Sequence, residues 1–176
     1  MVEYVDIVPT FVDIIGGKPQ AKVDGESFKP VLTGKKKAHK EYSFSLQTTR
    51  GINAGSPYYG IRSVYDGRYR YIVNLTPEAT FQNVETKSPL FKEWKSLAET
   101  DSHAKAMTTK YQHRPDIELY DVKNDPYCMK NLAEDAKQAS TISRLDKELK
   151  RWMKDCGDEG QPTEMRAFEH MPGKRK

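Results

Sequence analysis

The chain has 176 residues, enough for one domain or a domain with an appendage, and at 31% charged against 36% apolar residues its core is thin for that length. Its net charge of +4 is spread out, with basic runs only at Lys35-Lys36-Lys37 and Lys174-Arg175-Lys176 and no aromatic-basic motif beside them, which argues against nucleic-acid binding. No apolar run reaches the ~18 residues of a membrane span, and no basic stretch followed by an apolar segment and a small-residue cleavage site opens the chain, so neither a span nor a signal peptide is expected.

Asp6 to Ile15 reads as a short helix. Val5, Val8, Val12 and Ile15 share one face, Asp6 is placed to cap the start, and Gly16-Gly17 ends it. Nothing obvious in the remaining sequence partners that stripe. Pro19 to Gly34 looks irregular, anchored by Phe28 and Val31-Leu32, and Gly34 to Glu41 is a basic loop. From Glu41 to Thr48, Tyr42, Phe44 and Leu46 alternate with Ser43, Ser45 and Gln47, the period-2 pattern of a half-buried strand. Residues 50–57 form a Gly, Asn and Ser-rich loop. Tyr58 to Tyr65 and Arg68 to Leu75 then read as a hairpin around Asp66-Gly67, a dipeptide suited to a type I′ turn.

Ser88-Pro89 opens a helix with Leu90, Trp94 and Leu97 on one face, and Asp101 caps a second helix running through Met107 and Tyr111. Ile117 to Val122 is a short strand. The last helix runs from about Thr141 to Cys156, with Ile142, Leu145, Leu149, Trp152 and Met153 at spacings of three and four. The sequence after Gly157 is polar, then basic, and reads as a flexible tail. The architecture expected is α+β: a small antiparallel sheet of about four strands with the long C-terminal helix packed on one face. Residues 1–34 form a helix and lead-in, 35–157 the main body and 158–176 the tail.

Candidate chemistry is sparse. Cys128 and Cys156 fit no metal spacing, and two unpaired thiols are the simpler reading. In the loop after the first strand, Arg50 is able to clamp an anion bidentately, with Thr49, Gly51 and Asn53 beside it; the same loop is equally natural as a solvated connection. Arg62 faces either a pocket or a cross-strand acid. Tyr58 and Tyr59 either stack on a sugar ring or pack at a strand edge. His113 and His39 have no visible catalytic partner.

The stretch Arg114 to Ala133, RPDIELYDVKNDPYCMKNLA, resembles the C-terminal signature of the sulfatases, with Ile117 and Cys128 departing from the usual residues. Asp6-Ile7-Val8-Pro9-Thr10, the pair Gly16-Gly17, Asp24-Gly25-Glu26-Ser27-Phe28 and the hairpin YGIRSVYDGRYRYIVNL are similar to further stretches of that family. They occur in family order over roughly residues 4 to 156, and they are most like the heparan N-sulfatase (N-sulfoglucosamine sulfohydrolase) type.

That resemblance implies the C-terminal subdomain of the alkaline-phosphatase-like sulfatase fold. It also implies hydrolysis of sulfate esters or sulfamates on sulfated sugars in the full enzyme, which uses a formylglycine made from a C/S-x-P-x-R motif and a bound calcium. Neither that motif nor the paired acids for calcium occur in this sequence. The expectation is therefore a C-terminal fragment, inactive alone, that lines the substrate pocket through Thr49, Arg50, Asn53, Tyr59 and Arg62, with a separate N-terminal catalytic chain as one candidate partner. Family members are commonly periplasmic, secreted or lysosomal. The alternatives are a non-enzymatic module that binds anionic glycans through Arg50, Lys35 to Lys37 and the tyrosines, and a non-functional truncated remnant.

Overall fold

The computed structural model describes residues 1–18, 22–48, 58–167 and 169. A 3-10 turn, Tyr4–Asp6, runs into helix α1, Ile7–Ile14, which Gly16 ends with a positive φ of 76°. The helix buries Pro9 and Thr10 and leaves Val8, Phe11, Ile14 and the following Ile15 exposed, so the expected stripe lies largely on the surface. Asp6 does not cap α1 with its side chain. Its carboxylate reaches back to the Glu3 N–H and across to the Glu26 N–H, each at 2.9 Å. The stretch expected to be irregular holds one short helix, α2, Lys29–Leu32.

Four strands form the sheet: β1 Ser43–Gln47, in which Leu46 is exposed rather than buried as its alternation with Ser45 and Gln47 suggested, β2 Ile61–Tyr65, β3 Tyr69–Asn74 and β4 Ile117–Asp121. They pair antiparallel in the order β1-β2-β3-β4. Tyr58 and Tyr59 stand before β2 rather than within it, Tyr58 at a φ of 57°. The hairpin turn also lies one residue beyond its expected position. Tyr65 pairs with Arg70 and the Asp66 N–H bonds to the Tyr69 carbonyl, so Gly67 and Arg68 are the central residues. Only Gly67 has a positive φ, at the first central position, where a type II′ turn takes glycine. The Asp66 carboxylate sets this register by accepting from the N–H groups of Arg68 (2.9 Å) and Tyr69 (2.7 Å) and from Arg144.

Between β3 and β4 lie α3, Pro89–Leu97, and α4, Ser102–Gln112. Both caps match expectation: Ser88 Oγ accepts from the Phe91 N–H and Asp101 Oδ1 from the Ala104 N–H. The buried residue of α3 is Phe91, while Leu90, Trp94 and Leu97 are exposed. Helix α5, Ala139–Asp155, lies across one sheet face and buries Leu145 and Leu149 against Val64, Tyr71 and Leu119. Phe44 of β1 stacks on Trp152 of α5, with ring centroids 5.1 Å apart. A second, smaller core forms on the opposite face from Tyr59, Ile61 and Phe81, edged by Tyr111.

Beyond α5, where the polar composition suggested a flexible tail, the chain turns back and forms α6, Gln161–Met165. Glu164 is 1% exposed. A buried carboxylate in so short a helix needs a cation, and Arg62 supplies it.

Candidate functional site

Arg62 is 3% exposed and on the α5 side of β2. Its cross-strand neighbours are Leu46 and Val73, so the expected cross-strand charge pair does not form. Its partners come from the C-terminal segment instead. Nε donates to Asp158 Oδ2 (2.5 Å), and Nη2 donates to Asp158 Oδ1 (3.4 Å) and Glu164 Oε2 (3.3 Å). Nη1 donates to the carbonyls of Gln47 and Ile61, both at 3.1 Å. The guanidinium fork thus ties the last residue of β1 and the first of β2 to the segment carrying α6. Gly60 fits into the same joint. A Cβ there would lie 2.8 Å from Leu75 Cδ1 and 3.0 Å from the Glu164 side chain.

Tyr59 is 1% exposed and meets Phe81 edge-on, with centroids 5.2 Å apart. This placement gives its ring a core role and leaves no face for a sugar. Its hydroxyl is buried without a hydrogen bond among the described residues, and burial pushes its pKa up. Thr49, Arg50, Gly51 and Asn53, the remainder of the expected pocket set, lie outside the described residues. The chain on either side of them, Gln47 and Gly60-Ile61, is what the Arg62 and Glu164 side chains hold.

The residues of the Arg114 to Ala133 stretch perform structural work. Glu118, buried in β4, accepts from the Tyr120 hydroxyl (2.5 Å) and Asn74 Nδ2 (2.8 Å), with Arg114 Nε 3.7 Å away. Burial, together with the bond to Glu118, raises the pKa of Tyr120. Asn131 clamps the outer edge of β4, accepting from the Leu119 N–H and donating to the Ile117 carbonyl. Asp121 holds Arg68 and Asn124, and Asp125 accepts from the Lys130 N–H.

One buried polar group was not legible in the sequence. Asp6, fully buried, faces Lys40 Nζ at 2.8 Å, and the same ammonium reaches Glu3. Burial alone would raise the Asp6 pKa, but Lys40 and the two backbone N–H groups outweigh it and hold it low. Glu3 Oε1 accepts from the Phe44 N–H, so this group fastens the first residues to β1. His39 Nε2 lies 3.3 Å from Asp6 Oδ2, out of line for a hydrogen bond. His113 is exposed at the end of α4. Lys35 to Lys37 are exposed as well.

Among the described residues no group of three His, Cys, Asp or Glu side chains gathers to hold a metal, and no helix is long and apolar enough to cross a membrane. The acids described above are committed to lysines, arginines and backbone N–H groups. These residues do not fit the calcium role, which requires ~6–8 free oxygens. Cys128 and Cys156 are both free thiols.

No protein-family model matches the chain. It is 33% identical over 158 residues to an ulvan-active sulfatase of Formosa agariphila, a match covering 90% of this chain and 30% of that protein. A second ulvan-active sulfatase of the same organism is 32% identical over 168 residues, covering 93% and 27%. Among solved structures, a 2-O GAG sulfatase superposes with a TM-score of 0.57 at 24% identity, over 88% of this chain and 25% of that one. A structure in complex with its substrate D-glucosamine-2-N,6-O-disulfate gives 0.57 at 17% identity, over 89% and 25%.

The four-stranded sheet with its long helix is therefore the C-terminal subdomain of the alkaline-phosphatase-like sulfatase fold. The chain is similar to sulfatases in sequence as well as fold, and it spans about three-tenths of the length of the curated relatives it matches.

Proposed function

We propose that this chain is the C-terminal part of a sulfatase acting on sulfated sugars. In this reading, residues 35–157 form the subdomain that completes the substrate pocket and residues 1–34 lead into it from the catalytic part. The observation that carries the proposal is the match to two sulfatases along nine-tenths of this chain but only three-tenths of theirs. Thr49, Arg50 and Asn53 are the residues proposed to meet substrate, with the Arg50 fork on a sulfate or carboxylate. Tyr59 and Arg62 act behind them, holding the chain on both sides of that loop. A sulfamate substrate of the N-sulfoglucosamine type is one form of this reading, supported by the resemblance of the hairpin and of the stretch from Arg114.

The formylglycine motif is absent from these 176 residues, so they are proposed to be inert on their own, the reacting groups belonging to the catalytic part of the enzyme. The test is turnover of an aryl sulfate and of a sulfated disaccharide by the purified chain with calcium present. No turnover above background is expected; turnover that tracks the purified chain overturns the proposal.

A further inference from the structure

We propose that the face of the sheet turned away from α5, where it is open among the described residues, is a binding site for an anionic saccharide, a sugar bearing sulfate or carboxylate groups. Alternation puts Ser45 of β1, Ser63 and Tyr65 of β2, and Arg70 and Ile72 of β3 on the side away from α5. The second core covers only part of this side, where Phe81 and Tyr111 lie. Among the described residues the rest is a depression of about 490 Å³ between β1, β2 and β3, with Arg114 in its lining.

The charge of this depression separates it from an ordinary solvated sheet face. The chain carries 25 acidic residues, yet none lines it, while two arginines do. Arg70 is exposed, and no carboxylate among the described residues lies within ion-pairing distance of it. Its guanidinium carbon sits 5.8 Å from the centroid of the Tyr65 ring. Among the described residues Arg114 lies 5.5 Å over the Phe81 ring and has a long, 3.7 Å contact with Glu118, whose oxygens already accept from Tyr120 and Asn74. Two arginine forks so placed suit sulfate or carboxylate oxygens.

The rest of the lining suits a sugar. Ser45 and Ser63 are cross-strand partners, and the Ser63 hydroxyl lies 3.5 Å from the Ser45 carbonyl, at the limit of a hydrogen bond, leaving it available to a ring hydroxyl. Ile61 and Ile72 give an apolar floor for the C–H face of a pyranose. Serines over an apolar floor favour a sugar above an acidic peptide, which would need only the arginines. The residues named for this face, Ser45, Ser63, Tyr65, Arg70 and Ile72, are not those proposed to meet substrate in the catalytic pocket. Binding here survives a finding that the chain has no part in catalysis, and its absence leaves the pocket reading intact.

The experiment is a titration of the purified chain with a sulfated disaccharide, its desulfated counterpart, sodium sulfate alone and a poly-glutamate peptide, at one ionic strength, followed by amide chemical shifts. Saturable binding of the sulfated disaccharide is expected, with shifts at Ser45, Ser63 and Arg70. Arg70→Ala should weaken it by at least about tenfold, the effect of losing one charged hydrogen-bonding group. Arg70→Lys should recover part of the loss, and Lys150→Ala on α5 should change nothing. Both arginine variants alter an exposed side chain, and their melts serve to show the fold is kept. No binding, equal binding of the desulfated sugar, tighter binding of sulfate alone or of poly-glutamate, or shifts confined to Lys35 to Lys37 would each overturn the proposal.

Discussion

Arg62→Ala is the sharpest perturbation of this fold. The substitution removes a guanidinium at 3% exposure and leaves behind the carboxylates of Asp158 and Glu164, whose side chains are 9% and 1% exposed. Breaking a buried ion pair from one side costs about 3–5 kcal/mol, because the remaining charge stays desolvated. Two features set the magnitude here. The carbonyls of Gln47 and Ile61 lose a charged donor as well, which adds to the cost. Against this, both acids belong to the short segment beyond α5, which is able to swing into water and rehydrate them. The expected loss is therefore near the lower bound, about 3 kcal/mol, or roughly 6–12 °C in melting temperature at the 2–4 °C per kcal/mol of a chain this long.

Thermal and urea melts of Arg62→Ala, Glu164→Gln and the double variant measure this. The double variant should be less destabilised than the sum of the singles, by about 0.5–3 kcal/mol, since Glu164→Gln removes one of the two charges that Arg62 balances. Arg62→Lys should fall between parent and Ala, keeping the charge but not the fork. An arginine poised for a ligand instead would behave as a surface residue. If Arg62→Ala melts within about 0.5 kcal/mol of the parent, the reasoning fails and Arg62 returns to the list of substrate contacts.

Two further outcomes follow from the attachment of the first helix. At Gly25 an added Cβ would lie 1.9 Å from the Val5 carbonyl oxygen and 2.7 Å from the Asp6 N–H nitrogen, both backbone atoms with no rotamer to change. Gly25→Ala should cost at least the upper end of overpacking, about 3 kcal/mol, seen as a lower urea midpoint; an unchanged midpoint would mean Val5 and Asp6 are not held against Gly25. The Asp6 carboxylate, with its pKa held below the ordinary value, contributes stability that is complete above the unfolded value near ~3.9 and is lost as pH falls through the folded value. Urea midpoints of the parent should accordingly drop below about pH 4, and Asp6→Asn should flatten that drop while lowering the plateau above it. Parallel profiles for the two proteins would rule this out.

What the sequence revealed and what it hid divide along the distance over which each signal acts. The stripe of Leu145 and Leu149 and the caps at Ser88 and Asp101 are set by neighbours within a turn, and each is found where its spacing puts it; the alternation of β1 holds only in part, since Phe44 packs against the core while Leu46 is 53% exposed and Tyr42 precedes the strand. The turn at Asp66-Gly67 is local in composition, but its register is decided partly by Arg144, 78 residues further on, and it moved by one residue. Arg62 shows the limit most clearly. Within its own hairpin it is a cation in search of a cross-strand acid, and its real partners are 96 and 102 residues away in a stretch whose polarity looks like a tail. That stretch is polar because it carries the counter-charges of a buried arginine. A polar terminal segment opposite a lone strand arginine is thus better weighed as its partner before it is set aside as solvent-exposed chain, since a buried guanidinium without acids would cost more than ordering those few residues.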